Sequence, residues 1–362
     1  QSKRIMIKNR KYIFGNQYIM DETDQILGSE EILLTTASGI SIDDVVSEVK
    51  KYDGVVLDVN MPRMDGLQLL EKLQENNIKA NVIMVSTLTT KDAEITILAM
   101  ERGAIDFVTK PNNIVEAKGE EFKGKLLSVL SAVLCPRATI GTKQGTTKQV
   151  TLVSIQPRKP IKRVARKGAG RDKLVAIACS TGGPKALQSV IPFLPKNIDA
   201  PVVLVQHMPA GFTKSMADRL NEISNISVKE AEDGEKLKKG WVYIAPGGKH
   251  MEIKKCADGH KVVLNDMPAI GGLKPCANVT YNSLTNCNFD EITCVVLTGM
   301  GADGTNGIVA LSQKKPIYVI AQNAQSCVVY GMPKAIVESG VVDEVVSLND
   351  VAKTITKNVG VK

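Results

Sequence analysis

Short apolar runs ending in a polar residue alternate along the chain with stretches whose apolar side chains recur every three or four positions. The first pattern is that of a buried strand, the second that of a helix with one apolar face. Val55-Val56-Leu57-Asp58 reads as a strand and Met61-Pro62-Arg63-Met64-Asp65-Gly66 as the loop that follows it. Residues 67–75 predict a helix with Leu67, Leu70 and Leu73 on one side. A strand over 82–86, a helix over 92–102 closed by Gly103, and a strand over 105–110 stopped by Pro111 complete the set. Gly103 suits the left-handed turn that ends a helix, and Pro111 lacks the N–H a sheet ladder needs. Strands alternating with helices in this way predict a small doubly wound α/β domain. The first forty residues show much weaker contrast.

The alternation returns with better contrast in the second half. Residues 174–178, 201–205, 241–245, 293–298 and 316–321 predict strands, and 185–193 and 213–223 predict helices. Residues 251–254 and 261–264 flank Asp258-Gly259 as a hairpin. The expected architecture is again α/β, with a mostly parallel sheet.

Charge locates the boundary between these halves. The chain carries a net +8, yet residues 136–171 alone hold ten Lys or Arg and no Asp or Glu, leaving 8 − 10 = −2 elsewhere. This stretch also has Pro157, Pro160 and several glycines, and no aromatic side chain on which a base could stack. It is read as a solvated linker first, a docking strip for an acidic partner second and a nucleic-acid arm a distant third, so no nucleic-acid partner is expected. The domains are then 1–112, a helix and basic linker over 113–172, and 173–362. No apolar run approaches the roughly 18 residues of a membrane span, and no signal peptide is apparent, so the expected location is the cytoplasm. Seven scattered cysteines without a Cys-x-x-Cys pair, and only three histidines, argue against a disulfide framework or a zinc site.

Asp58, Ser86 and Lys110 each end a predicted strand, and such ends gather in one crevice of a doubly wound sheet. A carboxylate, a hydroxyl and an ammonium together suit a phosphoryl group, which the Asp accepts and the other two bind. The Leu57–Gly66 stretch and the Lys110-Pro111 pair resemble the receiver domains of two-component response regulators, which implies a flavodoxin-like fold and phosphorylation of Asp58. Receivers also carry two adjacent acidic residues after the first strand, which hold Mg²⁺. The matching stretch is Ile5-Met6-Ile7-Lys8-Asn9-Arg10-Lys11, and no Asp or Glu precedes Asp21. Mg²⁺-dependent phosphorylation is therefore expected to be weak or lost, and no metal ligand is assigned.

In the second half, residues 175–178 lead into Cys179-Ser180-Thr181-Gly182-Gly183-Pro184, a strand breaking sharply into a helix. Such an elbow lifts a serine clear of the sheet, and the amides after it can bind an oxyanion; the same residues also serve in ordinary helix capping. His207 follows the next strand as a candidate general base. Asp303 lies among glycines in Thr298-Gly299-Met300-Gly301-Ala302-Asp303-Gly304, where a carboxylate can orient that histidine. With Gln206-His207-Met208-Pro209, Glu230-Ala231-Glu232-Asp233-Gly234, Ala245-Pro246-Gly247 and Ala321-Gln322-Asn323, these motifs resemble the chemotaxis protein-glutamate methylesterase family, CheB, over most of 173–350. The resemblance implies Ser180 as nucleophile, His207 as base and Asp303 as orienting carboxylate. The substrates would be methyl esters, and by extension glutamine amides, of chemotaxis receptors. No cofactor serves the hydrolysis, and a chemotaxis histidine kinase is the implied partner of the receiver. The amides of Thr181 and Met300 are the expected oxyanion donors. His250 admits a structural or a functional reading, and His260, in the expected hairpin turn, should be solvated. Where the family has His-Arg-Pro-Ser-Val-Asp, this chain has Leu273-Lys274-Pro275-Cys276-Ala277-Asn278. That change leaves open a second reading, a catalytically weak adaptor that binds receptor or kinase.

Overall fold

Val55, Val56 and Leu57 are almost wholly buried, as a strand covered on both faces must be. In the computed structural model, which describes residues 12–14, 32–34, 54–60, 65–110, 120–134, 163–165 and 172–362, they lie in a five-stranded parallel sheet. Its strands are β1 (Tyr12–Phe14), β2 (Ile32–Leu34), β3 (Gly54–Asp58), β4 (Val82–Ser86) and β5 (Asp106–Thr109), in the order β2-β1-β3-β4-β5. This is the flavodoxin-like order, in which ligands bind beyond the carboxyl ends of the strands. The first described strand is Tyr12–Phe14 and pairs with both β2 and β3; the expected first-strand stretch, 5–11, lies outside the described residues, as do Met61–Met64 of the loop, Pro111 and most of the basic linker. Residues 11, 15 and 16, which flank β1, are Lys, Gly and Asn. The missing acidic pair is thus not recovered by moving the strand.

Helix α1 (Gly66–Glu75) starts where Asp65 accepts from the Gln68 amide and Gln68 returns a bond to the Asp65 amide, a reciprocal cap that satisfies two otherwise orphaned donors. It buries Leu69, Leu70 and Leu73, with Leu67 half-buried at the edge. Thr89 caps α2 (Thr90–Glu101), and α3 (Glu120–Leu134) lays Leu126, Val129, Leu130 and Val133 on Val56, Ile83, Val85 and Val108.

The second domain is a seven-stranded sheet with every pairing parallel: β6 (Lys173–Cys179), β7 (Val202–Gln206), β8 (Ser227–Glu230), β9 (Trp241–Ile244), β12 (Glu291–Val296), β13 (Ile317–Gln322) and β14 (Glu344–Val346). The order is β14-β13-β12-β6-β7-β9-β8. A hairpin of β10 (His250–Cys256) and β11 (Gly259–Asn265) is antiparallel. Along β6, Val175, Ile177 and Cys179 enter one core and Leu174, Ala176 and Ala178 the other, which is why the strand shows no polar alternation. The helices are α4 (Gly183–Gln188), α5 (Phe212–Glu222), α6 (Ala277–Ser283), α7 (Thr305–Ser312), α8 (Met332–Ser339) and α9 (Val351–Val359). The helix expected over 185–193 stops at Gln188, and a 3₁₀ turn, Ile191–Phe193, follows. Pro192 explains the break, since its ring would meet the carbonyl four residues back. Arg163, from the basic stretch, departs from the solvated expectation: its guanidinium reaches Asp343 at 2.9 Å and the carbonyls of Val341 and Ile317 at 3.0 Å each. No helix among the described residues is long and apolar enough to cross a membrane.

Strand order reverses between β6 and β12, so the crevice at their carboxyl ends is the topological switch point. One close backbone approach holds its rim. The Gly247 amide donates to the Thr213 hydroxyl at 2.9 Å, which donates in turn to Glu230 at 2.6 Å, and a Cβ on Gly247 would collide with the backbone of Pro209 and Ala210. Gly247→Ala is therefore expected to cost about 1–3 kcal/mol, read as an earlier chemical-denaturation midpoint with unchanged slope.

Candidate active site

Ser180 stands just past the end of β6 and His207 just past the end of β7. Cys179 and Gln206 are paired across these strands, so the two following residues are neighbours. The His207 amide donates to the Cys179 carbonyl at 3.2 Å, and the Ser180 amide to the Thr298 carbonyl at 3.0 Å. Gly182 has φ 73°, the left-handed turn that lets the chain double back into α4. A Cβ on Gly299 would lie 2.9 Å from that of Ser180, so the glycine-rich segment after β12 packs directly on Ser180. Two side chains without an assigned role in the sequence reading hold this elbow. The buried Gln206 donates to the carbonyls of Ser180 at 3.0 Å and His207 at 3.2 Å. The Thr298 hydroxyl donates to the Thr181 carbonyl at 3.0 Å. Both sat inside quoted motifs, but their contacts cross between strands and leave no local signature.

His207 and Asp303 meet, with Nε2 2.8 Å from Oδ2. Since the carboxylate accepts the Nε2 proton, Nδ1 is left as the basic nitrogen. Asp303 is buried and accepts from five donors: His207, the amides of Ala277 at 2.6 Å, Asn278 at 3.0 Å and Gly304 at 2.8 Å, and the Cys276 thiol at 3.2 Å. Burial pushes its pKa upward, but the bond and charge of His207 and the amides of Ala277 and Asn278 outweigh this and hold it down at about 2. A carboxylate so held remains charged and can stabilise an imidazolium without taking its proton.

The 273–278 segment, where this chain departs from the family pattern, is the cradle of Asp303. Two of its bonds come from main-chain amides, which survive changes of side chain. Thr181 is buried at the elbow, and Met300 is 42% exposed on the facing loop. His250 is fully buried with Nε2 3.1 Å from the Pro268 carbonyl, a structural place. His260 is buried rather than solvated: its ring stacks on Phe289 at 3.8 Å, and Nε2 accepts from the Asn288 amide at 3.3 Å. The hairpin turn is shorter than expected, only residues 257 and 258, so His260 falls inside β11 and faces the core. Burial raises the pKa of every thiol with a resolved shift, Cys276 and Cys287 to about 11 and Cys327 to about 12, which leaves no cysteine nucleophile among them.

In the first domain the structure joins Asp58 and Lys110, with Nζ 2.5 Å from Oδ2. Ser86 ends the adjoining strand, and its buried hydroxyl bonds the Thr96 hydroxyl at 2.8 Å and the Asp92 carbonyl at 3.3 Å. Mg²⁺ is held through carboxylates and other oxygens. Here Asp58 faces an ammonium, β1 has no flanking acid, and no group of three potential ligand residues occurs among the described residues. The residues present do not fit the ion.

The β5 edge of the first sheet, with α2 and α3 beside it, lies against this crevice. Phe107 stacks on Phe212 at 4.5 Å between centroids, Glu101 holds Arg219 at 2.8 Å, and the Ser128 hydroxyl reaches the Met300 sulfur at 3.3 Å. Val328, beside Gly182, packs on the first domain's core. Asp106, buried in this contact, accepts from its neighbour's amide at 2.9 Å and from the Thr181 hydroxyl and Gly182 amide. Desolvation dominates and lifts its carboxyl to about 6, against those three bonds and the attraction of Lys125.

The CheB methylesterase family model matches residues 175–355, and the response regulator receiver domain model matches residues 16–118. The chain is 42% identical over 316 residues to the protein-glutamate methylesterase/protein-glutamine glutaminase of Bacillus subtilis (strain 168), covering 85% of this chain and 86% of that one. The protein of the same name from Escherichia coli O157:H7 is 38% identical, with 92% and 91% covered. Among solved structures, the CheB methylesterase catalytic domain of Thermotoga maritima is 41% identical, covers 52% of this chain and 99% of its own, and has a TM-score of 0.49. With a receiver domain ahead of a hydrolase domain, the chain belongs to the CheB methylesterase family.

Proposed function

We propose that the chain hydrolyses glutamyl methyl esters on chemotaxis receptors in the cytoplasm, releasing methanol, and deamidates receptor glutamines at the same site. The observation that carries this is the 2.8 Å pair of His207 and a charged, buried Asp303, beside Ser180 at a strand-to-helix elbow. Ser180 Oγ attacks the ester carbonyl while its proton passes to His207 Nδ1, and Asp303 stabilises the imidazolium. The amides of Thr181 and Met300 receive the oxyanion. Collapse of the intermediate expels methanol, which takes the proton from His207, and leaves an acyl-enzyme. Water then repeats the sequence, freeing the glutamate carboxyl and Ser180. A glutamine follows the same path with ammonia as leaving group. No cofactor enters.

The first domain acts as a receiver that covers the crevice, with Asp106 and Phe107 lying over Thr181 and Phe212. A chemotaxis histidine kinase would phosphorylate Asp58 and shift the population toward the open form; without the acidic pair that holds Mg²⁺ in receivers, that step is expected to be weak. The adaptor reading rests on the side-chain changes at 273–278, and the main-chain bonds of that segment to Asp303 favour the enzyme.

Methanol release from methylated receptor cytoplasmic fragments tests the hydrolysis. Wild type should release it, and Ser180→Ala should lose at least about 10³-fold; equal release by both would overturn the triad. The receiver cover has a pH signature. Asp106 rises from an ordinary 3.8 to about 6 on burial, so the closed form binds the proton more tightly. Closure is strongest below pH 4, weakens as pH rises to about 6, and is level beyond. The closing equilibrium should fall about tenfold between pH 5 and 7. Asp106→Asn removes this slope, so the wild-type to variant ratio of activities should climb over that range. A flat ratio would show that Asp106 does not govern closure.

A further inference from the structure

Asp303 has more partners than a histidine-orienting carboxylate needs, and one of them is a side chain. The amides of Ala277, Asn278 and Gly304 fix where the carboxylate lies. The Cys276 thiol is the remaining donor, 3.2 Å from Oδ1 and 1% exposed. Its own environment orients it. Burial first, and then the charge of Asp303, raise the thiol to about 11. A thiol that keeps its proton 3.2 Å from a charged carboxylate can only donate to it.

We propose that Cys276 is a positioning residue for the reaction, its S–H aimed at Oδ1 so that Oδ2 is kept for His207. The inference rests on Ser180, His207 and Asp303 being the triad. The two oxygens divide their work. Oδ2 takes the imidazole and the Ala277 amide, whereas Oδ1 takes the thiol and two amides. Removing the thiol leaves Oδ1 less neutralised, so the carboxylate holds more negative charge toward His207 and favours the imidazolium. It also opens a small void on the Oδ1 side, into which the carboxylate can turn. Both effects act on the base and not on substrate binding. In the Leu273–Asn278 segment, therefore, a hydrogen-bond donor matters at 276, while the neighbouring contacts come from the main chain. Serine meets the same requirement with a shorter, stronger bond, and alanine does not.

The test uses the full-length chain as wild type, Cys276→Ala, Cys276→Ser and Ser180→Ala, with methanol release followed from pH 5 to 9 and melting curves beside it. Expected for Cys276→Ala is a kcat about threefold to tenfold lower, an unchanged KM, and an acid limb of the rate profile displaced upward by a few tenths of a pH unit. Cys276→Ser should restore both. A Cys276→Ala variant with wild-type kcat and acid limb overturns the proposal, as does a loss that serine fails to repair while melting as wild type. A wild type no faster than Ser180→Ala overturns the triad itself, and the proposal with it.

Discussion

Burying a carboxylate while keeping it charged is the constraint around which the catalytic domain is arranged. Desolvation would drive Asp303 toward its neutral form, in which it could neither orient nor stabilise an imidazolium. Holding it near 2 takes donors from three places at once: the start of α6, the start of α7 and the end of β7. Those places must then be mutually rigid. Tyr281, fully buried with its hydroxyl 3.1 Å from the Ala176 carbonyl, ties α6 to the sheet. Gly307 lets α7 close on the same tyrosine. The positions of α6 and α7 thus follow from the need to hold one charge.

The same constraint explains what the chain's primary structure revealed and what it withheld. Ser180, His207, Asp58 and Lys110 were legible because each closes or directly follows an apolar strand, and Asp303 because it lies among glycines after one, patterns with a direct backbone meaning. Gln206, Thr298 and Cys276 were not legible in their roles, since they act through partners on other strands or far along the chain. The helix over 185–193 failed at Pro192, a residue whose effect is local and could have been weighed. His260 failed because a two-residue turn and a six-residue turn look alike until the register of β10 and β11 is known. The departure at 273–278 left open a catalytically weak adaptor; most of what that segment contributes to Asp303 is peptide backbone, to which side-chain comparison is blind.

Two carboxylates are buried near the elbow, and their opposite shifts separate the permanent machinery from its cover. Asp303 draws all its donors from its own domain and includes an ionisable partner, so its charge is stabilised wherever the domain is folded. Asp106 draws two of its bonds from the other domain, and desolvation wins. Separating the domains would return its carboxylate to water, which solvates an ion better than two bonds in a dry contact do. The apolar part of the contact, Phe107 on Phe212, pulls the other way. In the proposed regulation the cover is held by stacking and opposed by an unfavourably buried charge, so a small local change at the carboxyl end of the receiver's sheet has two opposing contributions to act on. The proposed triad needs the reverse, a carboxylate held in one place, and the donors around Asp303 hold it there.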